Sequence, residues 1–92
     1  DNTLIPLLGN LEGKKVLDYG GGSGILALAL KKLGGDAKEY DISEDFRKQA
    51  GEKIGSENVY ATIEEIPSNY FDFIINGLGF LNTKLLGPFY GR

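Results

Sequence analysis

The run Asp18-Tyr19-Gly20-Gly21-Gly22-Ser23-Gly24 constrains this chain more than any other stretch. It continues a short apolar segment, Lys15–Tyr19 (KVLDY), that reads as a strand entered from a Glu12-Gly13 turn. Behind it, Ser23–Leu33 carries Leu26, Leu30 and Leu33 at helical spacing, a stripe expected in the core. Lys31 and Lys32 fall in the last turn and Gly34 follows, a suitable helix ending. Glycines at 20, 22 and 24 allow a sharp strand-to-helix turn and let a ligand approach the backbone with no Cβ in the way. The helix also presents free N–H groups that favour an anionic group. A tight turn alone would account for the glycines, but an acid, Asp41, ends the next strand. A carboxylate there can accept both hydroxyls of a ribose laid across the strand tips.

The rest of the chain alternates in the same way. Ala37–Ile42 is expected as a second strand, less apolar than a central one because of Lys38 and Glu39. Ser43 reads as an N-cap, Glu44 and Asp45 complement the helix dipole, and Phe46, Ala50 and Ile54 repeat every fourth residue before Gly55. Asn58–Ile63 is expected as a third strand and Phe71–Asn76 (FDFIIN) as a fourth, joined by a nearly extended Glu64–Tyr70. Leu4–Leu11 reads as a short helix or turn, and Leu81–Leu86 as a helical turn within an otherwise irregular Gly77–Arg92. Alternation of β and α segments implies parallel strands with right-handed crossovers.

Two glycine registers are open. Gly22-Ser23-Gly24-Ile25-Leu26-Ala27 satisfies the dinucleotide fingerprint GxGxxG/A, but puts Tyr19, Gly20 and Gly21 at the end of the strand. The register Asp18-x-Gly20-x-Gly22-x-Gly24 instead puts Val16 and Leu17 in the strand core and an acid at its tip. In this second register KVLDYGGGSG resembles motif I of the class I S-adenosylmethionine-dependent methyltransferases, VLDxGxGxG. Tyr40-Asp41-Ile42-Ser43 resembles that family's acidic ribose-binding position, Val59–Pro67 its third motif and Tyr70–Asn76 its fourth; the likeness covers Leu11 to Leu81.

The resemblance implies an α/β fold: a Rossmann-like parallel sheet of about four strands in the order 3-2-1-4, with helices on both faces. It implies S-adenosyl-L-methionine as cofactor and a methyl acceptor of unknown identity. Gly20, Gly21, Gly22 and Gly24 would line the methionine and ribose, and Asp18 would sit near the methionine amino group. Asp41 would take the ribose hydroxyls, while Ile42 and Ile63 would flank the adenine. Asn76 and Gly77 would lie near the transferable methyl. Thr62 stands where many members carry Asp, and NGLG follows the fourth strand in place of the (Asn/Asp)-Pro-Pro-aromatic sequence of amino-methylating members. A complete member has seven strands, in the order 3-2-1-4-5-7-6. The 92 residues are therefore expected to be one partial domain, from a longer or engineered protein.

Composition narrows the chemistry. With neither Cys nor His, disulfides, thiolate and His-based catalysis and ordinary zinc sites are excluded for these residues. Ten basic against thirteen acidic residues weigh against a nucleic-acid backbone as main partner. No apolar run approaches the ~20 residues of a membrane span and no signal-peptide pattern opens the chain, so a cytoplasmic location is expected. Asp72 reads as a strand-entry residue, Glu64 and Glu65 as a solvated loop, and Tyr19 as packing or ligand contact. An exposed FDFIIN edge would invite another chain, giving a homodimer or a partner that supplies the missing strands. A dinucleotide binder and a non-catalytic scaffold stand as alternatives to the methyltransferase reading.

Overall fold

Lys15–Tyr19 forms the central strand, β1, in the computed structural model of the chain, which describes residues 10–76. Val16 and Leu17 point to opposite faces by strand alternation and both are fully buried, as a strand covered on two sides requires. β2 (Asp36–Tyr40) and β3 (Phe73–Asn76) flank it in parallel, in the order β2-β1-β3. Val16 is in register with Ala37 and Phe73, and Tyr19 with Tyr40 and Asn76, so the three strand tips lie level. Helix α1 (Ile25–Lys32) connects β1 to β2, and α2 (Glu44–Ile54) follows β2.

Both helix ends follow from local chemistry. Ser43 Oγ accepts the Phe46 N–H at 3.2 Å, satisfying one of the donors left free at the start of α2. At the end of α1 the Gly34 N–H donates to Lys31 and the Gly35 N–H to Leu30, closing the last turn. Asp72 acts at strand entry as expected: its Oδ2 accepts the Lys15 N–H at 2.9 Å, while its own N–H donates to the Lys15 carbonyl at 2.7 Å.

The core has two parts, one on each face of the sheet. Leu11, Val16, Ala27, Leu30, Ala37, Ile54 and Ile75 pack between the sheet and the helices. Leu17, Ile66 and Ile74 fill the other face, with Tyr19, Tyr40, Tyr60, Ile63 and Phe71 against them. Among the described residues both helices therefore lie on one face, where the expectation had helices on both.

Three further expectations are corrected. The third strand is reduced to one parallel bridge, Val59 to Glu39, between short 3-10 turns at Ser56–Asn58 and Ile63–Glu65. The sheet thus holds three strands, and the expected order 3-2-1-4 survives as β2-β1-β3 with Val59 marking the missing position beside β2. Because pairing stops at Val59, the link to β3 runs from Tyr60 to Asp72, close to the dozen residues that a parallel crossover takes, and it need not be extended. The leucine stripe of α1 is also narrower than its spacing suggested. Leu30 is fully buried and Ala27 joins it, but Leu26 is only half-buried and Leu33 is 48% exposed. Residues 4–9 of the element expected at Leu4–Leu11 lie outside the described residues, as do Leu81–Leu86 and Gly77.

Candidate functional site

The glycine loop begins where β1 ends. Gly20 is the first residue past the strand, and its N–H donates to the Tyr40 carbonyl at 2.7 Å, tying the loop to the tip of β2. Gly20, Gly22 and Gly24 all have left-handed φ angles, of 75°, 68° and 94°. The dinucleotide register would need Gly20 and Gly21 to extend the strand, and β1 stops at Tyr19. Gly24 has a second role: a methyl group on its Cα would lie 2.8 Å from the Ala50 Cα, so its hydrogen lets the start of α1 close onto α2.

Asp41 is the joint of the site. It follows β2 directly and is 8% exposed. Its Oδ2 accepts the Gly22 N–H and its Oδ1 the Ser43 N–H, each at 2.9 Å. One carboxylate thus fixes the loop after β1 to the start of α2. Two basic residues that the sequence reading passed over brace the same corner. Arg47 Nη1 donates to the Asp41 and Ile42 carbonyls, and Lys53 Nζ donates to the Ser23 carbonyl at 2.9 Å. Arg47 thus closes the start of its own helix while Lys53 reaches from α2 to the loop, and nothing in the local sequence singles out either.

Around this corner, Ile42 is 86% exposed, an apolar side chain offered to solvent beside Asp41. Asn76 ends β3 level with Tyr19, whose ring packs 5.7 Å from that of Tyr40. Thr62 is exposed and precedes the second 3-10 turn, where its carbonyl accepts the Glu65 N–H. Ile63 is half-buried and packs in the cluster on the helix-free face. Glu64 and Glu65 are exposed in this segment, and Glu65 Oε1 accepts the Ala61 N–H. A groove of about 660 Å³ runs between α2 and Val59–Ala61, lined by Glu44, Arg47, Lys48 and Tyr60 among others; it contains none of the expected site residues.

Asp18 is the least expected part of the site. It lies beneath the loop, 1% exposed, and neither carboxyl oxygen has a hydrogen-bond partner. Glu39 is its register partner on β2, fully buried and equally unpartnered. Burial, with a smaller contribution from the Asp41 charge, pushes Asp18 up to about 7. Burial also pushes Glu39 up to about 8; Asp18 and Asp41 add to this, and Lys53 opposes it. The sequence reading missed Glu39, although alternation from Ala37 places it on the buried face. Among the described residues no group of three or more acidic side chains could hold a metal ion, and no helix is long and apolar enough to cross a membrane.

A parallel sheet with a glycine loop and an acid at adjacent strand tips defines a Rossmann-like cofactor-binding protein. Comparison with known proteins makes the class specific. Residues 17–86 match the family model described as a methyltransferase domain. The ribosomal protein L11 methyltransferase of Neisseria gonorrhoeae is 35% identical over 80 residues, 83% of this chain and 27% of that protein. An uncharacterized methyltransferase of Staphylococcus carnosus is 34% identical over 79 residues, 85% of this chain and 38% of its own length. Among solved structures, magnesium protoporphyrin IX methyltransferase from Synechocystis PCC 6803, with bound S-adenosylhomocysteine (SAH), superposes with a TM-score of 0.63 at 27% identity, covering 78% of this chain and 36% of that one. A SAM-dependent methyltransferase from Aquifex aeolicus gives 0.57 at 31% identity, covering 82% and 46%. The chain belongs to the class I S-adenosylmethionine-dependent methyltransferase family, whose cofactor is S-adenosyl-L-methionine. It spans between a quarter and a half of the length of these relatives.

Proposed function

We propose that these residues bind S-adenosyl-L-methionine across the tips of β1 and β2, as the cofactor-binding part of a methyltransferase. The observation that carries the reading is the position of Asp41. Its two oxygens each accept one backbone N–H, and an ionised carboxylate has about four acceptor sites. Capacity therefore remains for the two hydroxyls of a ribose. Gly20, Gly21, Gly22 and Gly24 carry the loop past the ribose and methionine, and at Gly22, where nothing lies within 4 Å of an added methyl group, the backbone is open to them. Exposed Ile42 offers an apolar contact to the adenine, with Thr62 and Ile63 on the other side of the same base. Asn76, at the level tip of β3, borders the reacting end.

The cofactor supplies an electrophilic methyl group on a sulfonium. What the protein must add is alignment of the acceptor with the sulfur–methyl bond and exclusion of water. Neither task requires His or Cys, so a chain lacking both is suited to it. The acceptor is held by sequence beyond these residues or by a partner that extends the sheet at β3. The relatives that methylate ribosomal protein L11 make a ribosomal protein the first acceptor to try.

The test is titration of the folded chain with S-adenosylhomocysteine by calorimetry, with NAD as control. Saturable binding is expected, together with a loss of about 10- to 100-fold in Asp41→Ala, the worth of charge-assisted hydrogen bonds. A thermal melt of the variant separates lost binding from lost folding. A folded chain that ignores S-adenosylhomocysteine, or that prefers NAD, would overturn the proposal.

A further inference from the structure

Under the glycine loop two carboxyl groups meet with no hydrogen-bond donor to any of their oxygens. Asp18 and Glu39 are register partners on adjacent parallel strands. By strand alternation both share the helix-facing side with Val16 and Ala37. They are 1% and 0% exposed, and all four carboxyl oxygens are without a partner. Their proximity is read at Gly21: a methyl group on its Cα would lie 2.5 Å from Asp18 Oδ2 and 2.7 Å from the Glu39 Cδ. Both carboxyls therefore press on the same point of the loop's underside.

Ionising both carboxyls in such a place is strongly disfavoured at neutral pH. Each loses its hydration, and each charge makes the other more costly. The charged groups around the pair are few. Asp41, just past β2, raises both, and Lys53 from α2 lowers Glu39 while its ammonium is bound to the Ser23 carbonyl. The Ile25–Leu30 stretch of α1 and all of β3 bring no ionisable side chain.

We propose that Asp18 and Glu39 hold a single proton between them at neutral pH, and that Glu39, by donating it to Asp18, is a positioning residue for the cofactor loop. The inference rests on the cofactor-binding reading above. With the proton on Glu39, its hydroxyl donates to the Asp18 carboxylate, which keeps one negative charge and one orientation below Gly21. When that proton leaves to solvent at higher pH, two like charges face each other across adjacent strands. They separate, and Gly21 is displaced with them.

The experiment has two arms on the full 92-residue chain. In the first, S-adenosylhomocysteine affinity is measured from about pH 6 to about pH 9, a range spanning the pair's titration, for wild type, Glu39→Gln and Glu39→Ala. The ligand amine titrates in this range too, so the comparison between variants decides. Wild-type affinity is expected to fall at least about tenfold more than that of Glu39→Gln, whose amide still donates and carries no charge. Glu39→Ala, without a donor, is expected to bind more weakly at every pH, and the conservative variant to rescue it. The second arm is isotope-edited infrared spectroscopy of the unliganded protein, which needs no binding. A protonated carboxyl band is expected at pH 7 and is weakened in Glu39→Gln, where Asp18 alone can carry the proton. Identical pH profiles for wild type and Glu39→Gln would overturn the positioning role, and absence of the band would overturn the shared proton. A wild-type chain that shows the band yet binds nothing at any pH would refute the cofactor reading and the positioning role together, leaving only the shared proton standing.

Discussion

At Gly21 a single hydrogen atom separates a closed loop from a collision. Its φ lies outside the left-handed region, so alanine there meets no backbone strain, only the Asp18 and Glu39 carboxyls. Gly22 is the reverse case, with φ at 68° and open space around a methyl group. Gly21→Ala is expected to cost about 1–3 kcal/mol through overpacking, and less in a Glu39→Ala background, where one of the two obstructing groups is gone. Gly22→Ala is expected to cost about 1–2 kcal/mol through its left-handed backbone alone, whatever stands at position 39. Urea unfolding of Glu39→Ala and of each glycine variant in both backgrounds would check this; equal dependence on position 39 would show that the contact at Gly21 is not what limits it. At this scale the sequence was most informative about residues whose chemistry is local. Glycines between a strand and a helix, an acid after the next strand and a serine before a helix each declare their geometry through the few residues beside them. Glu39 did not, because its environment is made by Asp18 on a strand distant in sequence, and only the alternation with Ala37 hinted at it.

Elements were legible where their periodicity agreed with what they pack against. The stripe of α1 named Leu26, Leu30 and Leu33, but a helix of eight residues, Ile25–Lys32, presents little more than two turns to the sheet. Leu33 falls at its C-cap, where the chain turns away through Gly34. Leu30→Ala is therefore expected to destabilise by about 2–5 kcal/mol, as removal of a fully buried leucine does. Leu33→Ala, at a site 48% exposed, should cost less than about 1 kcal/mol. Denaturant melts giving equal losses would place Leu33 in the core after all. The third strand fails for a related reason. Its apolar residues, Val59, Tyr60 and Ile63, read as a strand, but Tyr60 and Ile63 are drawn into the cluster with Leu17, Ile66 and Ile74 on the helix-free face. Those contacts turn the chain away from β2 after the bridge at Val59. Tertiary packing thus overrides local β-propensity, and one sequence by itself does not show which cluster will win.

For the whole molecule, two buried acids set an unusual dependence of stability on pH. An acid whose folded pKa lies above its unfolded value binds its proton more tightly in the native state. The stability it contributes is fully present below the unfolded pKa and is lost as pH rises through the folded one. Here the unfolded values are 3.8 for Asp18 and 4.5 for Glu39, and the folded ones rise to about 7 and about 8, so the window runs from about pH 4 to about pH 8. Within it, unfolding free energy is expected to fall on the order of 1 kcal/mol per pH unit for each proton the native state holds and the unfolded state does not. Carboxylates that are hydrogen-bonded in the native state give most proteins the opposite slope on the acid side, so the sign is diagnostic. Unliganded protein melted in urea at intervals across this window should be most stable on the acid side of neutrality, and Glu39→Gln should flatten the upper half of the curve. A stability that rises with pH through neutrality would mean that Asp18 and Glu39 are hydrated or paired with cations in solution. The same pair connects stability to the site. Bound cofactor adds stability with the logarithm of its affinity, and the loop proposed to receive it rests on these two acids. Ligand stabilisation of the wild-type chain should therefore shrink at alkaline pH more than that of Glu39→Gln.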